Sequence, residues 1–367
     1  MSKKILILHH FGGIGGAGQS CVQNALILAR NYNVTVMLPA GSPMEKLARS
    51  KGLDTLGYNI PIGTVEYYSG GPRIFSRTFF GRLARTRAFR KYFIDTAITL
   101  RPDIIIFNSL TTSYLAASVR ANPELKHTRT ATFIRETFPE NGSKFIFNKY
   151  KKFLGCQDGL FFISDFDKAF WNITSTAAFT LKNSVPDDFF DYKSRDTHGS
   201  YNVLFAGGVQ AFKGAAVLRE ALRSLSPGIK LLVCGDELQK TKEFFGDAPN
   251  IIHLGVCSDM RPIYAMADCL CFPSTKPHQA RPVFEAGAFS LPVIISEFAE
   301  TAEAVKDGYN GLTVTPGNSL GLAETINALA KNPELSMLLG KNNYNLTVKN
   351  HTTAAAATAL SKAIHLL

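Results

Sequence analysis

The sequence has no long apolar run, and none approaches the ~20 residues that a membrane-spanning helix needs. The first apolar run, Ile5–Leu8, is too short for the core of a signal peptide, and glycines follow it where a cleavage site would stand. Hydrophobic residues make up 46% of the 367 residues and charged residues 19%, a balance typical of globular proteins. We therefore expect a cytoplasmic, globular protein that is long enough for two domains.

Cysteines with metal-ligand spacing are also missing. Six cysteines are scattered along the chain, and the pair Cys269 and Cys271 in "DCLCFPS" lies in what reads as a buried strand. We expect buried thiols in a reducing compartment instead of a zinc site or a disulfide framework. The second half has no Asp-x-Asp at a turn, and we predict no metal site.

Acidic residues are absent between Glu66 and Asp95, and the chain carries a formal net charge of +11. This stretch contains "PRIFSRTFFGRLARTRAFRKYF", and a second basic, aromatic cluster, "SKFIFNKYKKF", spans residues 143–153. Such mixtures suit an anionic membrane surface, which we expect residues 73–93 to contact at the inner face of a membrane. The alternative is a solvated helix whose aromatic residues pack into the core. Nucleic acid would also suit the pattern, but we predict no nucleic-acid partner.

A glycine-rich loop follows the first apolar run in "KKILILHHFGGIGGAGQS", where Gly13, Gly15 and Gly18 satisfy G-x-G-x-x-G. A dinucleotide site of that type also needs an acidic residue at the end of the second strand. That strand reads "NVTVMLPAG" and has none, so the sequence disfavours a dehydrogenase and leaves the loop as a candidate for another ligand. His9 and His10 stand at the same strand end, where we expect locally satisfied loop histidines in preference to ligand-binding ones.

Apolar strands alternate with helical stretches throughout. In the first half the strands are "ILIL", "NVTVML", "PDIIIFNS", "TATFIRE" and "GLFFIS", and in the second "NVLFAGG", "IKLLVCGD", "NIIHLG", "CLCFPS", "LPVIIS" and "GLTVTPGN". This alternation predicts an α/β protein with two facing Rossmann-like, doubly wound parallel-sheet domains and the ligand between them. The predicted limits are 1–185 and 199–350 for the domains, 186–198 for the linker, and 351–367 for a C-terminal helix, for which we expect a return to the first domain.

Five segments of the second half form an ordered series of motifs. They are "VLFAGGVQAFKGAAVLREAL", "VCGD", "IIHLGVCSDMRPIYAMADCLCFPS", "RPVFEAGAFSLPVIIS" and "AEAVKDGYNGLTVTPGN". In this order they resemble the nucleotide-sugar half of a family-4 glycosyltransferase of the GT-B fold. "GGIGGAG", "PDIIIFNS", "DGLFFIS" and "NSVP" match weaker landmarks of that family in the first half. The resemblance implies a retaining, metal-independent transfer from a nucleoside-diphosphate sugar, with no cofactor.

The resemblance also implies a set of site residues. Lys213 stands where the family places a lysine on the diphosphate, and Glu285 where a carboxylate binds the two ribose hydroxyls. Gly15 and Gly16 stand at the first-domain loop that faces the phosphates. The other donor-binding residues that it implies are Gly207, Gly208, Gly235, Arg281, Pro282 and Val283, at glycine turns and at a helix N-terminus that can receive the anion. We take Lys213, Glu285 and Arg135 as the candidates for catalysis.

Three positions depart from the family pattern. Pro277 stands where the family usually has an acid near the donor sugar, and Gly208 where it usually has an arginine, a charge that Arg281 could supply. Arg135 and Glu136 in "TFIRETFPE" replace a histidine. We expect Arg135 to hold the acceptor or a phosphate and Glu136 to orient it, with an ordinary ion pair as the alternative.

These inferences together predict a retaining hexosyltransferase. It would move a sugar from a nucleoside-diphosphate donor to a saccharide or lipid-linked saccharide acceptor, in the synthesis of a bacterial-type surface polysaccharide or glycoconjugate. Two alternatives stay open: a catalytically silent nucleotide-sugar-binding subunit, which the departures at Pro277 and Arg135 would suit, and a sugar-nucleotide epimerase on the same fold.

Overall fold

The computed structural model describes residues 2–62, 77–136, 144–192, 199–277 and 279–367, and of residues 77–80 the backbone only. These residues form two compact units. One comprises Met1–Asn183 and Ala356–Leu367, and the other comprises Ser184–Ala355. Each unit is built on one parallel sheet.

The first unit has seven parallel strands in the order β3-β2-β1-β4-β5-β6-β7. The strands are β1 Lys4–Leu8, β2 Asn33–Pro39, β3 Asp54–Tyr58, β4 Ile104–Phe107, β5 Arg129–Ile134, β6 Gly159–Phe162 and β7 Ala177–Thr180. The helices are α1 Gly16–Ala29, α2 Pro43–Ser50, α3 Arg77–Leu100, α4 Leu115–Ala121, α5 Lys144–Gly155 and α6 Asp165–Trp171. Every residue of β4 is buried, as in a central parallel strand. Because the sheet grows in both directions from β1 and β4, their carboxyl ends form the switch point where such sheets bind ligands.

The second unit has six parallel strands in the order β10-β9-β8-β11-β12-β13. The strands are β8 Tyr201–Phe205, β9 Ile229–Cys234, β10 Ile251–Gly255, β11 Cys269–Phe272, β12 Val293–Ser296 and β13 Gly311–Val314. The helices are α7 Asp187–Phe190, α8 Ala215–Ala221, α9 Leu238–Phe245, α10 Arg261–Ala265, α11 Arg281–Ala288, α12 Ser319–Ala330 and α13 Pro333–His351. Successive residues of β8, such as Val203 and Leu204, enter separate apolar clusters on the two faces of the sheet. Because the strand order runs outward in both directions from β8 and β11, the switch point of this sheet lies between them.

The last helix of the chain, α14 Thr353–His365, belongs mostly to the first unit. Its residues Leu360 and Ile364 are buried in the cluster that α1 and α2 form with the sheet. Leu367 follows and packs on Gly159 of β6, where an added Cβ would lie 2.7 Å from a Leu367 methyl carbon. Residues far apart in the sequence thus share one core.

The prediction of an α/β protein with doubly wound parallel sheets is confirmed. Strands β3 and β7 and helix α13 are additions that the apolar pattern did not indicate. β11 is buried throughout, as predicted for "DCLCFPS", whereas Cys156 and Cys257 are half-buried and do not match the expected buried thiols. Among the helices that the structure describes, none is long and apolar enough to cross a membrane.

Candidate functional site

Two turns at the carboxyl ends of β8 and β9 lie against each other in the second unit. Gly208 has φ +62°, and a Cβ added to it would lie 2.5 Å from Oδ2 of Asp236. The Val209 N–H donates to the same oxygen at 2.7 Å. Gly235 has φ +108°, and its added Cβ would lie 3.0 Å from the Gly208 nitrogen. Both glycines are therefore required by backbone conformation and by the close approach of the turns.

Asp236 is the acidic residue of these turns. Burial raises the pKa of Asp236, but the hydrogen bonds from Lys240 and from the Val209 N–H outweigh burial, so that the pKa lies below its usual value. The Lys240 ammonium lies 2.9 Å from Oδ1. Asp236 is thus an ionised carboxylate that holds the loop after β8 in place.

Lys213 ends a short 3-10 turn, Ala211–Lys213, that follows the β8 glycines. Its side chain is half-buried, with Nζ 6.0 Å from the centre of the Phe212 ring. Burial lowers the pKa of Lys213, and the negative charge of Asp236 offsets part of this effect. None of the residues that the structure describes forms an ion pair with the Lys213 ammonium. A partly dehydrated cation of this kind gains from a bound anion.

Gly214 fixes the position of the Lys213 turn. It has φ +85°, and an added Cβ would lie 1.8 Å from the carbonyl oxygen of Pro273, so that two main-chain segments touch here. The Thr275 N–H also donates to the Phe212 carbonyl oxygen at 2.9 Å. The turn is therefore anchored to the segment between β11 and α11.

Helix α11 holds Glu285 in a nearly buried polar network. Oε1 of Glu285 accepts from Nε and Nη2 of Arg281 at 3.1 and 2.9 Å, and Oε2 accepts from the Tyr264 hydroxyl at 2.8 Å. The side chains of Arg281 and Glu285 are 9% and 8% exposed. Burial, and after it the charge of Glu285, raises the pKa of Tyr264 well above its usual value, so the phenol remains a hydrogen-bond donor. The Arg281 guanidinium, expected to face phosphate, contacts Glu285.

The first turn of α11 is the predicted anion site. Ala280 precedes the helix without a side-chain cap, and Pro282 has no N–H to offer. The Val283 N–H donates to the Ala280 carbonyl oxygen at 3.1 Å. The helix end keeps its partial positive charge, although the Val283 amide already has a partner.

In the first unit, polar side chains meet at the carboxyl ends of β1, β4 and β5. Arg135 donates through Nε to Oδ1 of Asn108 and through Nη1 to Oδ1 of Asn183, both at 3.0 Å. Its guanidinium lies 4.7 Å from the centre of the Phe133 ring. The Asn108 amide nitrogen lies 3.0 Å from Nδ1 of His9. Arg135 thus belongs to a network at the switch point of the sheet.

Glu136 contacts the main chain of Arg135. Its Oε2 accepts from the N–H groups of Arg135 and Leu110, both at 3.1 Å, and its Oε1 accepts from the Ser109 hydroxyl. These bonds join the ends of β4 and β5. Glu136 therefore contacts the main-chain N–H of Arg135, and the expected orientation of Arg135 by Glu136 would act through the main chain.

His9 is a neutral, buried histidine. Burial is the main cause that lowers the pKa of His9 to about 3, followed by the charges of His10 and Arg135. Its Nδ1 faces Asn108, while Nε2 has no hydrogen-bond partner within the described part of the chain. A Cβ on Gly18 would lie 3.2 Å from that Nε2. The expectation of a locally satisfied histidine is met at one ring nitrogen.

The glycine-rich loop leads directly into α1. Gly15 precedes the helix with an extended backbone and Gly16 is its first residue, and no side chain caps this end. Phe11 and Ile14 in the same loop are 57% and 58% exposed. Gly15 and Gly16 therefore present main-chain groups at the N-terminus of a 14-residue helix, a position that favours anions.

Asp236, Asn108 and Tyr264 are among the residues of these networks that were not predicted. Asp236 follows the glycine of "VCGD" and Asn108 ends "PDIIIFN", so both stand at strand ends where the sequence does give a signal. Tyr264 has no such signal in the sequence, because its contact with Glu285 depends on how α10 packs against α11. The predicted residues divide between the two units: Gly207, Gly208, Lys213, Gly235 and α11 belong to the second unit, and Gly15, Gly16 and Arg135 to the first.

The basic, aromatic residues of the first unit lie on α3 and α5. On α3, Arg85 and Arg87 are exposed, whereas Phe89 and Phe93 are fully buried in the core. On α5, Phe145 is 77% exposed. The exposed lysines of α5 are Lys144, Lys149 and Lys152. Of the predicted membrane segment 73–93, residues 73–76 and the side chains of 77–80 lie outside the described residues.

Comparison with known proteins gives a partial match in sequence. Residues 188–346 match the family model "Glycosyl transferases group 1". The uncharacterised glycosyltransferase MJ1178 of Methanocaldococcus jannaschii is 34% identical over 157 residues, which are 41% of this chain and 44% of that protein. The chain thus spans less than half the length of the curated relatives that it matches.

Solved structures match over nearly the whole chain. Anabaena HepE in complex with UDP-glucose superposes with a TM-score of 0.79 at 18% identity, covering 99% of this chain and 100% of that one. WaaG, a glycosyltransferase involved in lipopolysaccharide biosynthesis, has a TM-score of 0.70 at 17% identity, covering 98% and 99%. At these identities the likeness concerns the fold, and it confirms the predicted GT-B fold. Within that fold, the match to the glycosyl transferases group 1 model covers residues 188–346, which are less than half of the chain.

Proposed function

We propose that this chain is a retaining hexosyltransferase of family 4. It transfers a sugar from a nucleoside-diphosphate donor to a saccharide acceptor and needs neither a metal ion nor a cofactor. The observation that carries the proposal is the half-buried Lys213 ammonium, which has no ion-pair partner among the described residues and stands beside two glycine turns. The family match over the same unit supports the proposal, as does the UDP-glucose bound to HepE, a protein of the same fold.

The reaction places specific demands on Lys213. The bond between the anomeric carbon and the β-phosphate oxygen breaks, and the electron pair leaves with the diphosphate. The acceptor hydroxyl oxygen bonds to the anomeric carbon, and its proton passes to the departing phosphate oxygen. A fixed ammonium beside that oxygen stabilises the charge as it grows in the transition state. Burial has already removed part of the hydration of Lys213, which is why its pKa is lowered. A bound diphosphate would replace the lost hydration and raise the pKa again.

A donor screen followed by one substitution tests this role. Thermal shifts with UDP-, GDP- and dTDP-sugars should identify the donor, since a ligand at 100 times its Kd adds ~2.7 kcal/mol to stability. Lys213→Ala should then lower kcat by about 10²- to 10³-fold, the usual loss for one group that stabilises developing charge. Lys331→Ala removes an exposed lysine of the same unit and should leave kcat unchanged. Equal rates in both variants would contradict the role of Lys213.

Two other outcomes of the screen identify the alternative functions. Donor binding without transfer or hydrolysis would indicate a silent nucleotide-sugar-binding subunit, which Pro277 at the position of the usual acid favours. If chromatography shows that donor sugars are interconverted without an acceptor, the protein is an epimerase.

We also propose a lipid-linked acceptor, a role in surface polysaccharide or glycoconjugate synthesis, and work at the inner face of a membrane. Exposed cations on α3 and α5 and the exposed Phe145 support the membrane part. Each Lys or Arg near anionic lipid adds only ~1 kcal/mol, so these cations must act together.

Vesicle binding tests the membrane part. Replacing Arg82, Arg85 and Arg87 with alanine should weaken binding to vesicles with anionic lipid by tenfold or more, because ~3 kcal/mol of attraction is removed. Neutral vesicles should not distinguish this variant from the wild type. A triple alanine variant at Lys331, Lys341 and Lys349, all exposed in the second unit, has the same net charge and should bind as the wild type does. An equal loss in both variants would show that only total charge matters.

A further inference from the structure

The Glu285 carboxylate has few acceptor positions left. A carboxylate offers about four lone-pair positions, two on each oxygen. Arg281 fills both positions on Oε1, through Nε and Nη2. The Tyr264 hydroxyl fills one position on Oε2. No further donor reaches the carboxylate from the part of the chain that the structure describes, so one position, on Oε2, remains there.

Neither partner leaves Glu285 easily. The Tyr264 side chain is fully buried, and releasing its hydroxyl from Glu285 would remove the hydrogen bond seen there. The Arg281 and Glu285 side chains are 9% and 8% exposed, and breaking a buried ion pair is far more costly than breaking an exposed one. The carboxylate therefore keeps both partners and presents a single free position.

We propose that Arg281 is a specificity-determining residue that restricts Glu285 to a single ribose hydroxyl. This inference rests on the proposed function, which brings the ribose of a nucleoside diphosphate to Glu285. A carboxylate with both oxygens open accepts the 2′- and 3′-hydroxyls together and discriminates against loss of either one. Glu285, with Arg281 on Oε1, discriminates against loss of one hydroxyl and tolerates loss of the other.

Three nucleotides test the inference on the unmodified protein. Calorimetric Kd values are measured for UDP, 2′-deoxy-UDP and 3′-deoxy-UDP, or for the three guanosine equivalents if the donor screen selects GDP-sugars. One deoxy analogue should bind at least tenfold more weakly than the parent, because it loses a hydrogen bond to a charged acceptor. The other should stay within threefold. Losses of tenfold or more for both analogues, or for neither, would overturn the inference.

A substitution links the asymmetry to Arg281. Arg281→Met removes the donors and keeps an unbranched side chain, so Oε1 becomes available and the tolerated analogue should now lose tenfold or more. Arg219→Met changes an exposed arginine of α8 in the same unit and should keep the wild-type pattern. If Arg281→Met does not fold, the nucleotide series on the wild type still decides.

The two proposals fail in different ways. Absence of binding by every nucleoside diphosphate and sugar nucleotide in the screen would remove the proposed function, and this inference with it. Binding of the parent nucleotide with equal losses for both deoxy analogues would leave the proposed function in place and overturn only the role of Arg281.

Discussion

At the scale of single residues, Gly214 has the tightest constraint near the candidate site. Its positive φ and the 1.8 Å distance from an added Cβ to the Pro273 oxygen act together. Gly228 separates these effects, because it has φ +91° with nothing within 4 Å of its added Cβ. Comparing alanine at the two positions therefore isolates the close contact from the backbone strain.

Gly228→Ala should lower the free energy of unfolding by about 1–2 kcal/mol, the cost of a left-handed conformation for a residue with a Cβ. Gly214→Ala should cost about 1–3 kcal/mol more, because the added methyl group pushes two main-chain segments apart. Urea unfolding followed by circular dichroism measures both. Equal losses would show that the turn moves away from Pro273 freely.

Residue spacing also explains which parts of the site the sequence could predict. The Lys-Gly pair at Lys213 is local, so its turn is readable from the sequence. Arg281 and Glu285 are four residues apart on a helix, a spacing at which opposite charges pair. The family resemblance instead led us to predict that Arg281 binds phosphate. The bond from Arg135 to Asn183 joins residues 48 positions apart. Only the folded sheet brings such residues together.

At the scale of elements, burial decided which strands were predicted. β4 is apolar at every position because both its faces are buried. β3, with the sequence "DTLGY", lies at the edge of its sheet and is mostly half-buried. Edge strands of this kind carry a weak apolar pattern, so β3 could not be distinguished from a loop by its residues alone.

Helix α13 was missed for a different reason. Its sequence contains Gly340 and several asparagines, which are poor helix formers. A Cβ on Gly340 would lie 2.0 Å from the Ser290 oxygen, and one on Gly287 of α11 would lie 1.9 Å from Oγ1 of Thr347. The glycines let α13 pack closely on α11, so tertiary packing outweighs the low helix propensity. Helix α13 thereby supports the element that carries Glu285.

At the scale of the whole molecule, the last helix belongs mostly to the first unit, although the segment before it belongs to the second. The second unit ends at Ala355, and the rest of α14 packs into the core of the first. Leu360 is 1% exposed there, among residues of α1, α2 and the sheet. A destabilising substitution in α14 should therefore lower the stability of the first unit, which contains the glycine-rich loop and Arg135.

Leu360→Ala tests this coupling. The lost contacts and the cavity should lower the free energy of unfolding by about 2–5 kcal/mol, whereas Lys362→Ala, at an exposed position of the same helix, should stay within about 0.5 kcal/mol. Hydrogen exchange should show faster exchange in α1 and β1, with β8 and β9 unchanged, because local opening follows the core that was damaged. Faster exchange in β8 and β9 to the same degree would show that both units unfold as one, and α14 would then stabilise the donor-binding unit as well.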